Sequence, residues 1–137
     1  MPPRIARLIT RARNDSGGFL SDDLDLTAYT EKILSKATVV SYQHAGSIIA
    51  FIAYYDNDPA LQEAFLTMIL VDPDHKGKGL GKMLLDLSIR DLSHKGFAGY
   101  SLEVAKSNAS AVALYGNSGF NIVEDRDQHW LMRKSLK

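Results

Sequence analysis

Residues 75–82 read His-Lys-Gly-Lys-Gly-Leu-Gly-Lys. Ahead of them runs FLTMILV, residues 65–71, an apolar stretch that predicts a buried strand. Behind them Leu80, Met83, Leu84 and Leu87 recur at the spacing of one helical face. A turn from strand to helix that carries three glycines and three lysines suits an anion. Gly77, Gly79 and Gly81 keep side chains away, so backbone N–H groups can approach a ligand closely. The first N–H groups of the following helix, and its positive dipole end, point to the same place. Lys76, Lys78 and Lys82 add charge. The same composition also suits a surface turn that caps a helix, and spacing is needed to choose between the two.

Two familiar phosphate loops fail that test. A P-loop needs a glycine five residues before the Gly-Lys pair and a Ser or Thr after it; this chain has Lys76 and Met83 there. A dinucleotide fingerprint needs G-x-G-x-x-G, whereas here the glycines run G-x-G-x-G. The stretch fits a third pattern, a long polar residue (Lys76), then x-x-Gly79-x-Gly81. In this it resembles the pyrophosphate loop of the GNAT superfamily of acyl-CoA N-acyltransferases, with lysine where that family usually has Arg or Gln.

A second segment strengthens the resemblance. LEVAKSNASAVALYGNSGF, residues 102–120, is similar to the family's later motif: a strand, an Asn, an Ala, then Leu-Tyr and a closing Gly-Phe. Asn108, Ala111 and Tyr115 stand at i, i+3 and i+7 and so share one helical face. A small residue between two polar ones on that face leaves room for a ligand chain, or simply packs on a sheet. The likeness is good over 65–120 and extends only to the order of elements in the first sixty residues.

The resemblance implies a division of labour. Acetyl-CoA would be the cosubstrate, its pyrophosphate held by the backbone of Lys78, Gly79, Leu80, Gly81 and Lys82, with Lys76 and Gly77 leading in. Its pantetheine arm would pair with the strand edge at Ile69, Leu70 and Val71, in a gap between parallel strands 65–71 and 100–105 that splay apart. The Ile69 N–H would face the thioester oxygen. Asn108, Ala111 and Tyr115 would line the cofactor. Tyr115 would be the general acid for the departing thiolate. Glu103, whose strand neighbours Leu102 and Val104 point the other way, is the candidate base. The acceptor would be a primary amine, small molecules or amino sugars being favoured, which attacks the thioester directly in a ternary complex. A protein N-terminal or lysine acetyltransferase and a non-catalytic acyl-CoA-binding domain are the alternatives.

Composition bounds the rest. The chain has 137 residues, 45% apolar and 23% charged, and reads as one domain over 1–137. Sixteen basic and sixteen acidic residues cancel, which argues against a dedicated nucleic-acid binder. There is no cysteine, hence no disulfide and no thiol nucleophile, compatible with the cytoplasm. No apolar run approaches the roughly 18 residues of a membrane helix, and the N-terminus lacks a secretory core segment. His44, His75, His94 and His129 are scattered without metal-ligand spacing and read as surface residues, so no metal is expected.

The remaining elements predict an α+β fold (α/β three-layer in some schemes). It has a mixed, mostly antiparallel central sheet, one parallel pair and helices on both faces. A strand is predicted over 4–10, a polar loop with Asp15, Asp22, Asp23 and Asp25 over 11–25, and a helix over 26–37. The acidic loop would attract a cationic acceptor or simply be solvated. A hairpin over 39–55 turns at His44-Ala45-Gly46; Tyr54 and Tyr55 point to opposite faces, either one a core residue or a cleft wall. A helix ends at Lys95-Gly96, a strand covers 100–105, a helix covers 109–117, and strands cover 120–124 and 129–134. The exposed sheet edge near the C-terminus is a candidate homodimer surface.

Overall fold

The computed structural model describes residues 36–56 and 62–137. The strand expected over 4–10, the acidic loop, nearly all of the helix over 26–37 and most of the turn after Tyr55 lie outside them. Six strands form one sheet: β1 (Thr38–His44), β2 (Ser47–Tyr55), β3 (Glu63–Val71), β4 (Gly99–Ala105), β5 (Asn121–Arg126) and β6 (His129–Ser135). Their order is β1-β2-β3-β4-β6-β5. All neighbours are antiparallel except β3 and β4, which are parallel and joined through helix α1 (Leu80–His94). Helix α2 (Ala109–Asn117) links β4 to β5. This is the mixed, mostly antiparallel sheet with one parallel pair that the sequence predicts.

The β1–β2 hairpin turns on two residues, Ala45 and Gly46, both at positive φ (53° and 80°). Two left-handed residues match the right-handed twist of the strands they join. His44 therefore belongs to β1 rather than to the turn. After its opening Ser47, β2 is apolar, and from Ile49 to Tyr54 it is buried on both faces. Ala50, Ile52 and Tyr54 face a core that includes α1, while Ile49, Phe51 and Ala53 are buried on the reverse. Tyr54 is a core residue, 1% exposed, and its hydroxyl donates to Asp91 at 2.6 Å.

The buried face of α1 is Leu84, Leu85, Ser88 and Leu92. Leu87, counted in that face from sequence, is 41% exposed. The spacing misled because the stripe runs 84-88-92 and its middle member is polar. Ser88 is admitted because its hydroxyl donates to the Leu85 carbonyl (2.7 Å) and lies 3.0 Å from the Tyr100 hydroxyl. Both helices pack on the sheet face that carries Tyr100, Leu102 and Val104. The helices expected on both faces are thus described for one.

Each helix ends the same way. In α1 the N–H groups of Gly96 and Phe97 donate back to Ser93 and Leu92. In α2 those of Gly119 and Phe120 donate to Gly116 and Tyr115. Gly96 (φ 85°) and Gly119 (φ 97°) supply the left-handed residue this closure needs.

Candidate active site

The site begins with a fault in β3. Ala53 pairs with Met68, but the next residue, Tyr54, pairs with Leu66, so Thr67 is an extra residue on β3. Such a bulge bends its strand and breaks pairing locally. It coincides with the end of the β3–β4 ladder, which runs from Glu63↔Gly99 to Leu66↔Leu102 and stops. Beyond that point β3 and β4 diverge around a cleft of about 290 Å³. Phe65 to Ile69 form one wall, Leu102 to Ala105 the other, and Tyr115 and His129 close it from either side.

The backbone direction in the open part follows from one bond. The Asp72 N–H donates to the Ile49 carbonyl at 2.7 Å, continuing the register Ala50↔Val71. In an antiparallel ladder, bonded and non-bonded pairs alternate. Met68 and Leu70 therefore turn their N–H and C=O groups toward β2, while Ile69 and Val71 turn theirs toward the cleft. Of the three strand residues singled out from sequence, Leu70 spends its backbone groups on Phe51.

The glycine loop sits at the open end. After a short 3-10 turn, Pro73–His75, the chain passes Lys76 and reaches Gly77 (φ 80°) and Gly79 (φ 77°). Gly79 is the N-cap of α1 and no side chain caps its N–H groups. The Met83 N–H already bonds the Gly79 carbonyl (3.0 Å), so the open donors are those before it. A Cβ on Gly81 would lie 3.8 Å from Val71 and 3.9 Å from Leu114, so the end of β3, the start of α1 and α2 converge there. Lys82 leans along the helix to Asp86 at 3.2 Å, which tempers its charge at the loop.

From α2, Asn108 is the N-cap. Its side-chain oxygen accepts from the Ala111 N–H and from the Ser110 hydroxyl, both at 3.2 Å. Ala111 is half-buried against the core. Tyr115 is 6% exposed and lines the cleft. Its ring packs on Phe120 with centroids 6.0 Å apart. Burial pushes its phenol up to about 12, so the proton is held throughout the neutral range.

Glu103 lies on the opposite face of the sheet from Tyr115, as strand alternation requires. Its carboxylate is bonded to the Arg126 guanidinium, which also holds Glu124 at 3.1 Å. Glu103 and Tyr115 therefore flank the cleft from its two sides. The sequence reading missed Thr67, Met68 and His129 as cleft residues. The bulge leaves no local sequence signature, because FLTMILV alternates no differently from an ordinary buried strand. His129 had a signal in the hairpin, whose short turn sets it opposite Ala105 at the end of β4. Among the described residues no group of His, Cys, Asp and Glu could hold a metal ion, and no helix is long and apolar enough to cross a membrane.

Comparison with known proteins agrees with this geometry. The model of the Acetyltransferase (GNAT) family matches residues 6–120. The [ribosomal protein bS18]-alanine N-acetyltransferase of Escherichia coli K12 is 51% identical over 61 residues, 44% of this chain and 41% of that protein. The match thus spans less than half the length of that relative. The crystal structure of the ribosomal-protein-S18-alanine N-acetyltransferase from Escherichia coli superposes with a TM-score of 0.80 at 27% identity. It covers 98% of this chain and 87% of the other. PaiA N-acetyltransferase from Thermoplasma acidophilum, solved in complex with coenzyme A, shares the fold with a TM-score of 0.81. Identity is 18%, over 96% of this chain and 91% of that one. With its split parallel pair, its glycine loop and a family match over most of its length, this chain belongs to the GNAT acetyltransferase family.

Proposed function

We propose that residues 1–137 form one N-acetyltransferase domain that moves an acetyl group from acetyl-CoA to a primary amine by direct attack in a ternary complex. The observation that carries this reading is the unzipped half of the β3–β4 pair. It leaves the backbone of Ile69 and Val71 facing a cleft that opens at the uncapped start of α1. An extended amide-bearing arm fits that edge as an added strand. The pyrophosphate of the same molecule fits the N–H groups of Lys78 to Lys82, with Lys76 and Gly77 leading in and Asn108 and Ala111 along the far wall.

Each chemical need then has a group. The thioester oxygen gains charge in the transition state and takes the Ile69 N–H. The departing thiolate takes the Tyr115 proton, which burial keeps in place at neutral pH. An alkylammonium is drawn to the rim by Glu103 and must lose a proton before it attacks, because its pKa is about 10. A chain without cysteine suits work in the cytoplasm. An acceptor that is a protein N-terminus is a second reading, supported by the relatives that act on ribosomal-protein alanine.

Calorimetric titration with acetyl-CoA, CoA and ATP tests the cofactor. Acetyl-CoA and CoA are expected to bind and ATP not. Thiol release is then followed with polyamines, amino sugars and a peptide beginning with alanine. A folded protein that ignores acetyl-CoA would overturn the reading.

A further inference from the structure

We propose that His129 is the proton acceptor for the incoming amine, an inference that rests on the acetyl-transfer reading. Two side chains on the Glu103 face of the cleft have proton-accepting chemistry, Glu103 itself and His129. Glu103, the base candidate from sequence, is committed to Arg126, and protonating it would break that bond. His129 opens β6, directly opposite Ala105 on β4 and Arg126 on β5. Cross-strand partners share a face, so His129 stands on the face of Glu103 and Ala105, at the cleft and opposite Tyr115. No bond to another side chain holds it among the described residues. The charged and titratable groups near it are Glu103 on β4, Glu124 and Arg126 on β5, Asp127 in the turn, the ion pair of Lys106 and Asp125, and Tyr115 across the cleft. The first three already satisfy one another. Imidazole is also the side chain whose charge change falls nearest neutral pH.

The step balances. One N–H proton of the ammonium passes to the imidazole and the freed lone pair forms the N–C bond, while the carbonyl π pair moves to oxygen. Collapse breaks the C–S bond and the sulfur takes the Tyr115 proton. The nitrogen's second surplus proton restores the tyrosine, and His129 releases its own to solvent. Glu103 and Glu124 share the single Arg126 guanidinium, and the negative charge left over on that cluster serves to attract the cation.

The experiment compares wild type, His129→Gln, His129→Ala and Glu103→Gln for acetyl-CoA affinity by calorimetry and for kcat/KM against pH by thiol release, with alkylamines and an alanine-initiated peptide. His129→Gln is expected to bind acetyl-CoA as wild type does and to lose roughly 100-fold in kcat/KM near neutral pH. The loss should shrink as pH approaches the amine's own pKa, and added imidazole should restore His129→Ala. A merely structural histidine would show neither recovery. Unchanged kcat/KM in His129→Gln, or a pH limb that disappears in Glu103→Gln instead, would overturn the assignment and leave the transfer reading intact. Absence of acetyl-CoA binding in wild type would overturn the transfer reading itself, and binding without turnover of any amine would overturn both.

Discussion

Phe120 holds Tyr115 twice: its N–H donates to the Tyr115 carbonyl at 3.0 Å, and its ring meets the Tyr115 ring edge-on at 6.0 Å. The closing Gly-Phe of the second motif is thus the C-terminal cap of the helix that carries the tyrosine. Gly119 supplies the left-handed turn, and Phe120 supplies the apolar contact that accompanies such caps. Phe120 is 3% exposed and also touches Tyr100. Phe120→Ala is therefore expected to cost about 3–5 kcal/mol by urea unfolding, whereas Phe120→Leu should cost less and still lower turnover by loosening Tyr115. Wild-type stability in Phe120→Ala would show that the pair is not part of the core.

Tyr115→Phe removes the proton and keeps the packing. Turnover should fall about 100-fold, the low end for a general acid, with acetyl-CoA affinity unchanged by calorimetry. Unchanged turnover would remove Tyr115 from the chemistry.

Position 81 separates space from charge. A Cβ there meets only ordinary contacts with Val71 and Leu114, so Gly81→Ala should fold and bind acetyl-CoA nearly normally. Gly81→Asp should fold equally well and lose more than about tenfold in affinity, because its carboxylate stands where the helix dipole favours an anion. Equal affinity in the two variants would mean that the phosphates lie elsewhere.

Alkaline stability follows from three buried phenols. Burial pushes Tyr115 up to about 12 and raises Tyr54 and Tyr100 as well, with Asp91 adding to the rise at Tyr54. The unfolded chain releases these protons near pH ~10, before the folded chain does. Their contribution is therefore fully present below about pH 10 and is lost as pH rises further. For Tyr115 the loss is about 1.4 kcal/mol per pH unit up to its folded value. Urea midpoints taken on either side of about pH 10 should diverge, and by less in Tyr115→Phe.

Much of this was legible in the residues because local chemistry announces itself. Glycine-lysine turns, helix caps at Asn108 and Gly119, and the long apolar run of β2 each carry their physical reason within a few positions. The parallel pair followed from a helix lying between two strands. Three things were not legible. Leu87 was misassigned because a buried serine interrupts the apolar stripe. The Thr67 bulge depends on registration against β2, which no single strand encodes. His129 enters the cleft through pairing with Ala105, a contact between segments 24 residues apart.

The same bulge has a mechanical side. Two three-stranded leaves, β1-β2-β3 and β4-β6-β5, meet along only four residue pairs, against seven along β4–β6. Beneath the seam the leaves are tied by side chains: the Tyr100 ring against the Tyr54 ring at 6.1 Å, and Glu63 to Arg133 across Gly99, where a Cβ would collide with the guanidinium. Among the described strand pairs β3–β4 is zipped over the fewest residues, along the line of the proposed acetyl-CoA cleft, and a ligand bound there would act as a rivet. A ligand at a hundred times its Kd adds about 2.7 kcal/mol to stability. On the proposed function, amide exchange along β3 and β4 is expected to slow, and resistance to proteolysis there to rise, as acetyl-CoA is added.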